Sequence, residues 1–270
     1  MRTIRYEYMR PQEILDAQAE KSIIYLPVGP LEWHSPAMPF GTDPLAAEAS
    51  ARKAAERTGG VVLPTVYAGT EREREPQLLA AMGFEEDQYV VGQDFPRNTL
   101  PSFYFREEVF SLIIREYIRI LVSQKYSLIV IVNGHGATNQ KNVLQRLATE
   151  FSNETESKVI VTMAVPEEDE RFAFEGHATK AEASVQMFLE GESVDMGQLP
   201  AKPEKLKNTD WGITGGNTYR LQPNEDKTIE PECDPRDASA ELGKELFEKG
   251  VDAVVREVNR AWDEINQSIK

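Results

Sequence analysis

LIVIVNGHGATNQ, residues 128–140, decides the fold. The apolar run Leu128 to Val132 is mostly β-branched and too short for a buried helix, so it reads as a buried strand. It runs into Asn133-Gly134-His135, and a helical pattern follows over 138–151. A strand that passes through a tight turn into a helix belongs to an alternating β/α chain. The same alternation recurs on both sides. Ile23 to Val28 is a second apolar run, closed by Gly29. DPLAAEASARKAAERTGG then predicts a helix with Asp43 as N-cap, Pro44 at its first position and Gly59 as its stop. Val61 to Leu63 and Val159 to Ala164 read as strands; 11–20, 106–124 and about 177–189 read as helices. The stretch DPRDASAELGKELFEKGVDAVVREVNRAW predicts a long helix opened by Asp234 and Pro235. Strands separated by helices imply an α/β fold, a mainly parallel sheet covered on both faces. Residues 67–104 and 191–233 carry no clear pattern.

Composition narrows the function classes. At 270 residues the chain reads as one domain spanning 1–270, with 40% hydrophobic and 28% charged residues, as in ordinary globular proteins. A formal net charge of −15 disfavours nucleic acid and an anionic membrane surface. Leu128 to Val132, the longest apolar run, is far too short to span a bilayer. The start, MRTIRYEYMRPQEIL, has no apolar signal core, so a cytoplasmic location is expected. The single cysteine, Cys233, has no partner for an internal disulfide and reads as inert. No Gly-x-x-x-x-Gly-Lys-Ser/Thr stretch is present, so a phosphate-binding loop is unsupported.

The chain has only three histidines, His34, His135 and His177. His34 and His135 each fall just past the end of an expected strand, where parallel α/β sheets bind ligands. Glu32 and His34 are two residues apart, which in an extended segment puts both side chains on one side. Trp33 between them alternates to the other side and reads as packing. Asp43 stands at a helix start beside the same mouth. His177 and Glu182 open a later helix without stacking on one face. Each has a bland reading: a loop histidine, an N-cap, a solvated glutamate, a glycine-rich turn. Their coincidence in one architecture is what points to metal chemistry.

These stretches resemble the creatininase family. PVGPLEWH…GTD (27–43) resembles its Glu-x-His…Gly-Thr-Asp motif and IVNGHGATN its Asn-Gly-His-Gly-Gly-Asn motif. GHATKAEAS resembles its His-Ala-Gly-x-x-Glu-Thr-Ser motif, DFPRNTLPSFYF its Phe-Pro-Gly-Thr loop, and DPRDASAELGK the start of its C-terminal helix. The resemblance implies a three-layer α/β/α fold and two divalent ions per chain. Glu32, Asp43 and His135 would hold one, and His34, Asp43 and Glu182 the other, with Asp43 shared. His177 would transfer protons. Mixed carboxylate and imidazole donors suit Zn²⁺, Mn²⁺ or Fe²⁺, and such an ion pair polarises a carbonyl and activates water. The resemblance also implies a homo-oligomer, a hexamer or a smaller ring.

The departures bear on substrate. Ala37 stands where the family commonly has a second histidine, Gly136 and Ala137 replace creatininase's Tyr-Glu after the second-motif histidine, and the segment after Tyr67 is longer than usual and lacks histidine. Creatinine is therefore not the expected substrate. The charged residues Glu71, Arg72, Glu73, Arg74 and Arg97 read mainly as solvated surface; members that point inward would suit a polyhydroxylated substrate. Arg97, Glu175 and Trp211 are the candidate substrate contacts. The expected activity is hydrolytic opening of a small polar cyclic carbonyl compound, a cyclic polyol ketone such as an inosose derivative by C–C cleavage. The alternatives are C–N cleavage of a cyclic amide or formamide, and a non-catalytic metabolite-binding protein on the same fold.

Overall fold

The computed structural model describes residues 3–71, 74–88, 92–165, 176–215 and 227–268. Strands β1 (Ile23–Gly29), β2 (Val61–Val62), β3 (Val66–Tyr67), β4 (Leu128–Asn133) and β5 (Lys158–Met163) form one parallel sheet. The order is β2-β1-β4-β5. β2 pairs with the first half of β1 and β3 with its end, Gly29 lying opposite Tyr67. β4 pairs with β1 from Ile23↔Leu128 to Val28↔Asn133. The chain builds outward from β1 on one side, then returns to its other side with β4. The order therefore reverses between β1 and β4, which makes their carboxyl ends the expected ligand crevice.

Alternation along the strands explains the layers. Ile24, Leu26, Ile129 and Ile131 point to one face, where Phe110, Ile114 and Ile118 of α4 (Glu107–Ser123) and Leu144 and Leu147 of α5 (Thr138–Glu154) cover them. Ala17 of α1 (Pro11–Glu20) joins that layer. Ile23, Tyr25, Leu128 and Val130 point to the other, beneath five alanines of α2 (Thr42–Thr58) and Val254 and Val258 of α8 (Ala240–Ser268). α6 (Lys180–Glu190) packs on α8. The result is the expected three-layer α/β/α fold with a mainly parallel sheet. No helix among the described residues is long and apolar enough to cross a membrane.

Local expectations needed correction in four places. The helix expected with Asp43 as N-cap begins two residues earlier, at Thr42, with Gly41 as the capping residue. Thr42 Oγ1 donates to the Pro39 carbonyl at 2.8 Å, and Asp43 lies within the first turn, its carboxylate turned to the histidines instead of capping. Asp234 and Pro235 open a 3₁₀ turn, Pro235–Asp237, in which the Asp234 side chain accepts from Arg236 N; the helix proper starts at Ala240. The stretch 67–104 is not wholly irregular: it holds the end of β3 and α3 (Pro76–Met82), which opens on a proline and stops at Gly83 in a left-handed conformation (φ 92°). A one-turn helix, α7 (Asn208–Trp211), lies within 191–233.

Two glycines let α2 press its first turn onto the strand ends. A Cβ on Gly29 would stand 2.8 Å from Pro44 N, and one on Gly134 only 2.1 Å from the Asp43 carbonyl oxygen. Glycine after β4 is therefore what allows the Asp43 backbone to approach. Gly134→Ala should cost about 1–3 kcal/mol as an overpacked site and should weaken metal binding, read by thermal melting and zinc titration. Gly136→Ala, whose added methyl meets nothing within 4 Å, should leave melting unchanged.

Candidate metal centre

The site stands on two loops that leave the sheet and on two helix starts. Past β1, the segment 31–34 is stitched to the segment 94–104: Phe103 N donates to the Leu31 carbonyl at 2.8 Å and Trp33 N to Ser102 Oγ at 2.9 Å. Ser102 Oγ in turn donates to Asp94 at 2.8 Å. Past β4, Asn133 is fully buried and clamps the turn, its Nδ2 donating to the His135 carbonyl (2.6 Å) and its Oδ1 accepting from His135 N (3.2 Å). These backbone-directed bonds explain why Asn, Gly and His follow one another there.

The resulting geometry brings together all five residues expected to bind metal. His34 Nε2 lies 3.3 Å from Asp43 Oδ1 and 3.8 Å from both Glu32 Oε2 and Glu182 Oε2. His135 Nδ1 lies 3.0 Å from Asp43 Oδ2 and 3.1 Å from Glu32 Oε2. Asp43 thus offers one oxygen to each histidine. Their donor atoms fall into the sets Glu32/Asp43/His135 and His34/Asp43/Glu182, each within 4.8 Å. A third set, Glu32/His34/His177, reuses Glu32 and His34 and so competes with the other two.

The chemistry of these groups fits divalent cations. His34 Nδ1–H donates to the Glu32 carbonyl at 3.1 Å, which leaves the Nε2 lone pair facing the acids. Nε2 of His34 is buried with no hydrogen-bond partner. No Lys or Arg among the described residues pairs with Glu32, Asp43 or Glu182. Among the described residues, positive charge there can come only from the imidazoles or from bound cations. Burial opposes protonation of His34, yet Asp43, Glu182 and Glu32 prevail and raise it to about 10. Burial likewise opposes protonation of His135, and Glu32 and Asp43 raise it well above its ordinary value. For Asp43, burial favours the neutral acid, but His34 and His135 hold it below the usual carboxylate range. Burial, with Asp43 and Glu32, outweighs His34 and pushes Glu182 up to about 7. Without cations the acids draw protons onto the imidazoles; cations would take that place.

His177 sits beside this set with different bonding. Its ring centroid is 4.3 Å from that of His34. Its backbone pairs with Thr214 through N–H···O bonds of 2.7 and 2.9 Å, just before Ala178 in a left-handed conformation (φ 57°). Its Nε2–H donates to the Trp33 carbonyl. A carbonyl oxygen only accepts, so the proton is on Nε2 and the lone pair on Nδ1, 3.8 Å from Glu32 Oε1. Burial, opposed by Glu32 and helped by His34, pushes His177 down to about 3, so the ring is neutral near pH 7. Glu182 Oε2 accepts from Ala178 N at 2.5 Å, tying this turn to the metal set.

Above the cluster lies a pocket of about 220 Å³, lined by Glu71, Arg74, Gln93, Thr138 and Thr214 over Glu32, His135, His177 and Glu182. Several of these escaped the sequence reading. Glu71 and Arg74, taken as solvated surface, are buried (8% and 7% exposed), while their neighbours 72 and 73 lie outside the described residues. Tyr104, within the recognised loop motif but not singled out, donates its hydroxyl to Glu32 Oε1. The candidate substrate contacts fare differently. Arg97 does not line the pocket: its side chain is 70% exposed and pairs with Asp210 at 3.3 Å, because it follows the turn at Pro96 outward. Trp211 packs against the cluster of Met38, Leu206 and Ile213, away from the pocket lining. Glu175 lies outside the described residues. Trp33 is buried against Phe40, as expected of a packing residue.

Residues 7–258 match the family model for creatininase, described as creatinine amidohydrolase. No curated protein matches the sequence. Among solved structures, a zinc–zinc form of a creatininase variant aligns with a TM-score of 0.65 at 19% identity, covering 96% of this chain and 98% of that one. A manganese creatininase aligns with a TM-score of 0.65 at 18% identity over the same shares, 96% and 98%. A putative creatinine amidohydrolase from Bacteroides fragilis aligns at 0.62 and 19% identity, covering 99% and 98%. At these identities the likeness to the structures is one of fold; the family match, running almost end to end and including every residue of the cluster, makes this chain a member of the creatininase family of metal-dependent hydrolases.

Proposed function

We propose that the chain hydrolyses a small polar cyclic carbonyl compound in the 220 Å³ pocket, using two divalent cations held by Glu32, Asp43 and His135 and by His34, Asp43 and Glu182. The observation that carries this reading is the two-sided Asp43 carboxylate, with one oxygen toward each histidine. Zn²⁺, Mn²⁺ or Fe²⁺ in that set would polarise the substrate carbonyl and make water nucleophilic near neutral pH. The chain's own residues do the rest. His177 takes a proton at Nδ1, its ring held by the Trp33 carbonyl, and returns it to the leaving atom. Tyr104 holds Glu32 by its hydroxyl and keeps that carboxylate facing inward. The overall change adds water across one ring bond: the carbonyl carbon gains the hydroxyl oxygen and the leaving atom gains the proton.

The lining supports one substrate class over the other. Arg74, Gln93, Thr138 and Thr214 offer both donors and acceptors, which suits a hydroxyl-rich ring. This favours a cyclic polyol ketone, with C–C cleavage where a second carbonyl stabilises the departing carbanion as its enolate. The family description favours the second reading, C–N cleavage of a cyclic amide. Metal-loaded protein incubated with matched panels of inosose-type diketones and cyclic amides separates them; the polar lining predicts turnover of the first. Protein with two bound ions that turns over neither panel would leave the metabolite-binding reading standing.

A homo-oligomer is also proposed. Tyr67 on β3, Leu100, Phe103 and Phe105 beyond it, and Leu112 and Ile120 on α4 expose between 37% and 62% of their surface. Exposed apolar side chains of this size mark contact surfaces where they adjoin. Light scattering should give a multiple of 30.4 kDa; a monomer mass would contradict it.

A further inference from the structure

We infer that Glu71 is a positioning residue for His135, supplying from the segment after Tyr67 the acid that Gly136 and Ala137 do not carry. The inference rests on the reading of the cluster as a two-cation site. Each of the three histidines has one ring nitrogen toward the acids and one away from them. The outer nitrogens of His34 and His177 are fixed by backbone carbonyls, of Glu32 and Trp33. His135 differs. Its Nδ1 faces Glu32 and Asp43, while its Nε2 is buried and has no hydrogen-bond partner among the described residues. Glu71 Oε2 stands 3.8 Å from that Nε2, on a side chain 6% exposed.

The chain just before Glu71 is fixed at both polar atoms of the Gly69–Thr70 peptide. The Gly69 carbonyl accepts from Phe105 N at 2.8 Å, and Thr70 N donates to Gln140 Oε1 at 2.9 Å. Gln140 is fully buried, and its Nε2 donates to Asn133 Oδ1 at 2.8 Å, the oxygen that also accepts from His135 N. One buried amide therefore registers the root of the loop against the His135 turn. The 3.8 Å separation of Glu71 Oε2 from His135 Nε2 exceeds a hydrogen bond by about 1 Å. A carboxylate accepting from Nε2–H keeps the proton on that atom and the lone pair on Nδ1, as metal-binding histidines commonly require.

The test uses the full chain, with Glu71→Ala and Glu71→Gln, and zinc affinity measured by competition with a chromophoric chelator. Glu71→Ala should loosen one of two ions by about 10–100-fold and leave the other within about twofold. Glu71→Gln, whose amide oxygen still accepts from Nε2–H, should stay near wild type. In zinc-loaded protein labelled with ¹⁵N-histidine, a hydrogen-bonded imidazole N–H resonance should be present in wild type and lost in Glu71→Ala. Unchanged affinity at both ions in Glu71→Ala, or equal loosening of both, would overturn the assignment. So would a loss of turnover at wild-type metal affinity, since Glu71 would then meet the substrate itself. A wild-type chain that binds no zinc would fail earlier, at the two-cation reading.

Discussion

His177→Ala should lower kcat by about 10²–10⁴-fold, the usual share of a positioned acid–base group, while the protein keeps both cations. The reason lies in the bonding of the ring. Its Nε2–H is committed to the Trp33 carbonyl, so Nδ1 is the atom free to accept a proton beside Glu32. Burial, opposed by Glu32 and helped by His34, holds the group down to about 3, so it waits as a base instead of an imidazolium. None of the contacts that join Glu32, His34, Asp43, His135 and Glu182 to one another passes through His177. Metal content should therefore be unchanged while turnover collapses. If His177→Ala lost an ion, the third donor set, in which His177 is itself a ligand, would be the correct one.

Asp43→Ala should lose both ions and reduce turnover to background. Each oxygen of Asp43 serves a different histidine, at 3.3 and 3.0 Å, so one substitution removes a donor from each set. The loss should exceed the roughly 10–100-fold typical of residues that only orient a ligand. Stability gives an independent readout. An ion present at about 100 times its Kd adds about 2.7 kcal/mol, and in a domain of this size each kcal/mol moves Tm by roughly 2–4 °C. Chelation should thus lower the wild-type Tm by several degrees per ion. Asp43→Ala should show no difference between metal and chelator. A variant that melts higher with zinc than without would retain a metal site and contradict the shared role of Asp43.

Much of this was legible in the sequence because burial and motif spacing are local properties. The runs 23–28 and 128–132 are buried on both faces, so their apolar continuity marked them as central strands without any tertiary information. Glu32, His34, Asp43, His135 and Glu182 lay in stretches whose order and spacing carried the family resemblance, and the fold brings them to one crevice. What was not legible depends on how distant backbone segments pack. Glu71 and Arg74 read as solvated because a charge run has no intrinsic direction; Thr70 and Gln140 turn its root inward. Asp43 read as an N-cap because an aspartate before a helix usually is one. Here Gly29 and Gly134 bring its backbone onto the strand ends, where two imidazoles compete for the carboxylate. The role of the Trp33 carbonyl could not be read at all, since a backbone atom leaves no mark on residue type.

The most direct test is anomalous diffraction from crystals of the zinc- or manganese-loaded chain, recorded at the metal edge. Two peaks are expected, one in coordination reach of Glu32, Asp43 and His135 and the other of His34, Asp43 and Glu182, with Asp43 touching both. A single peak, or a second one held by His177 in place of Asp43, would contradict that arrangement.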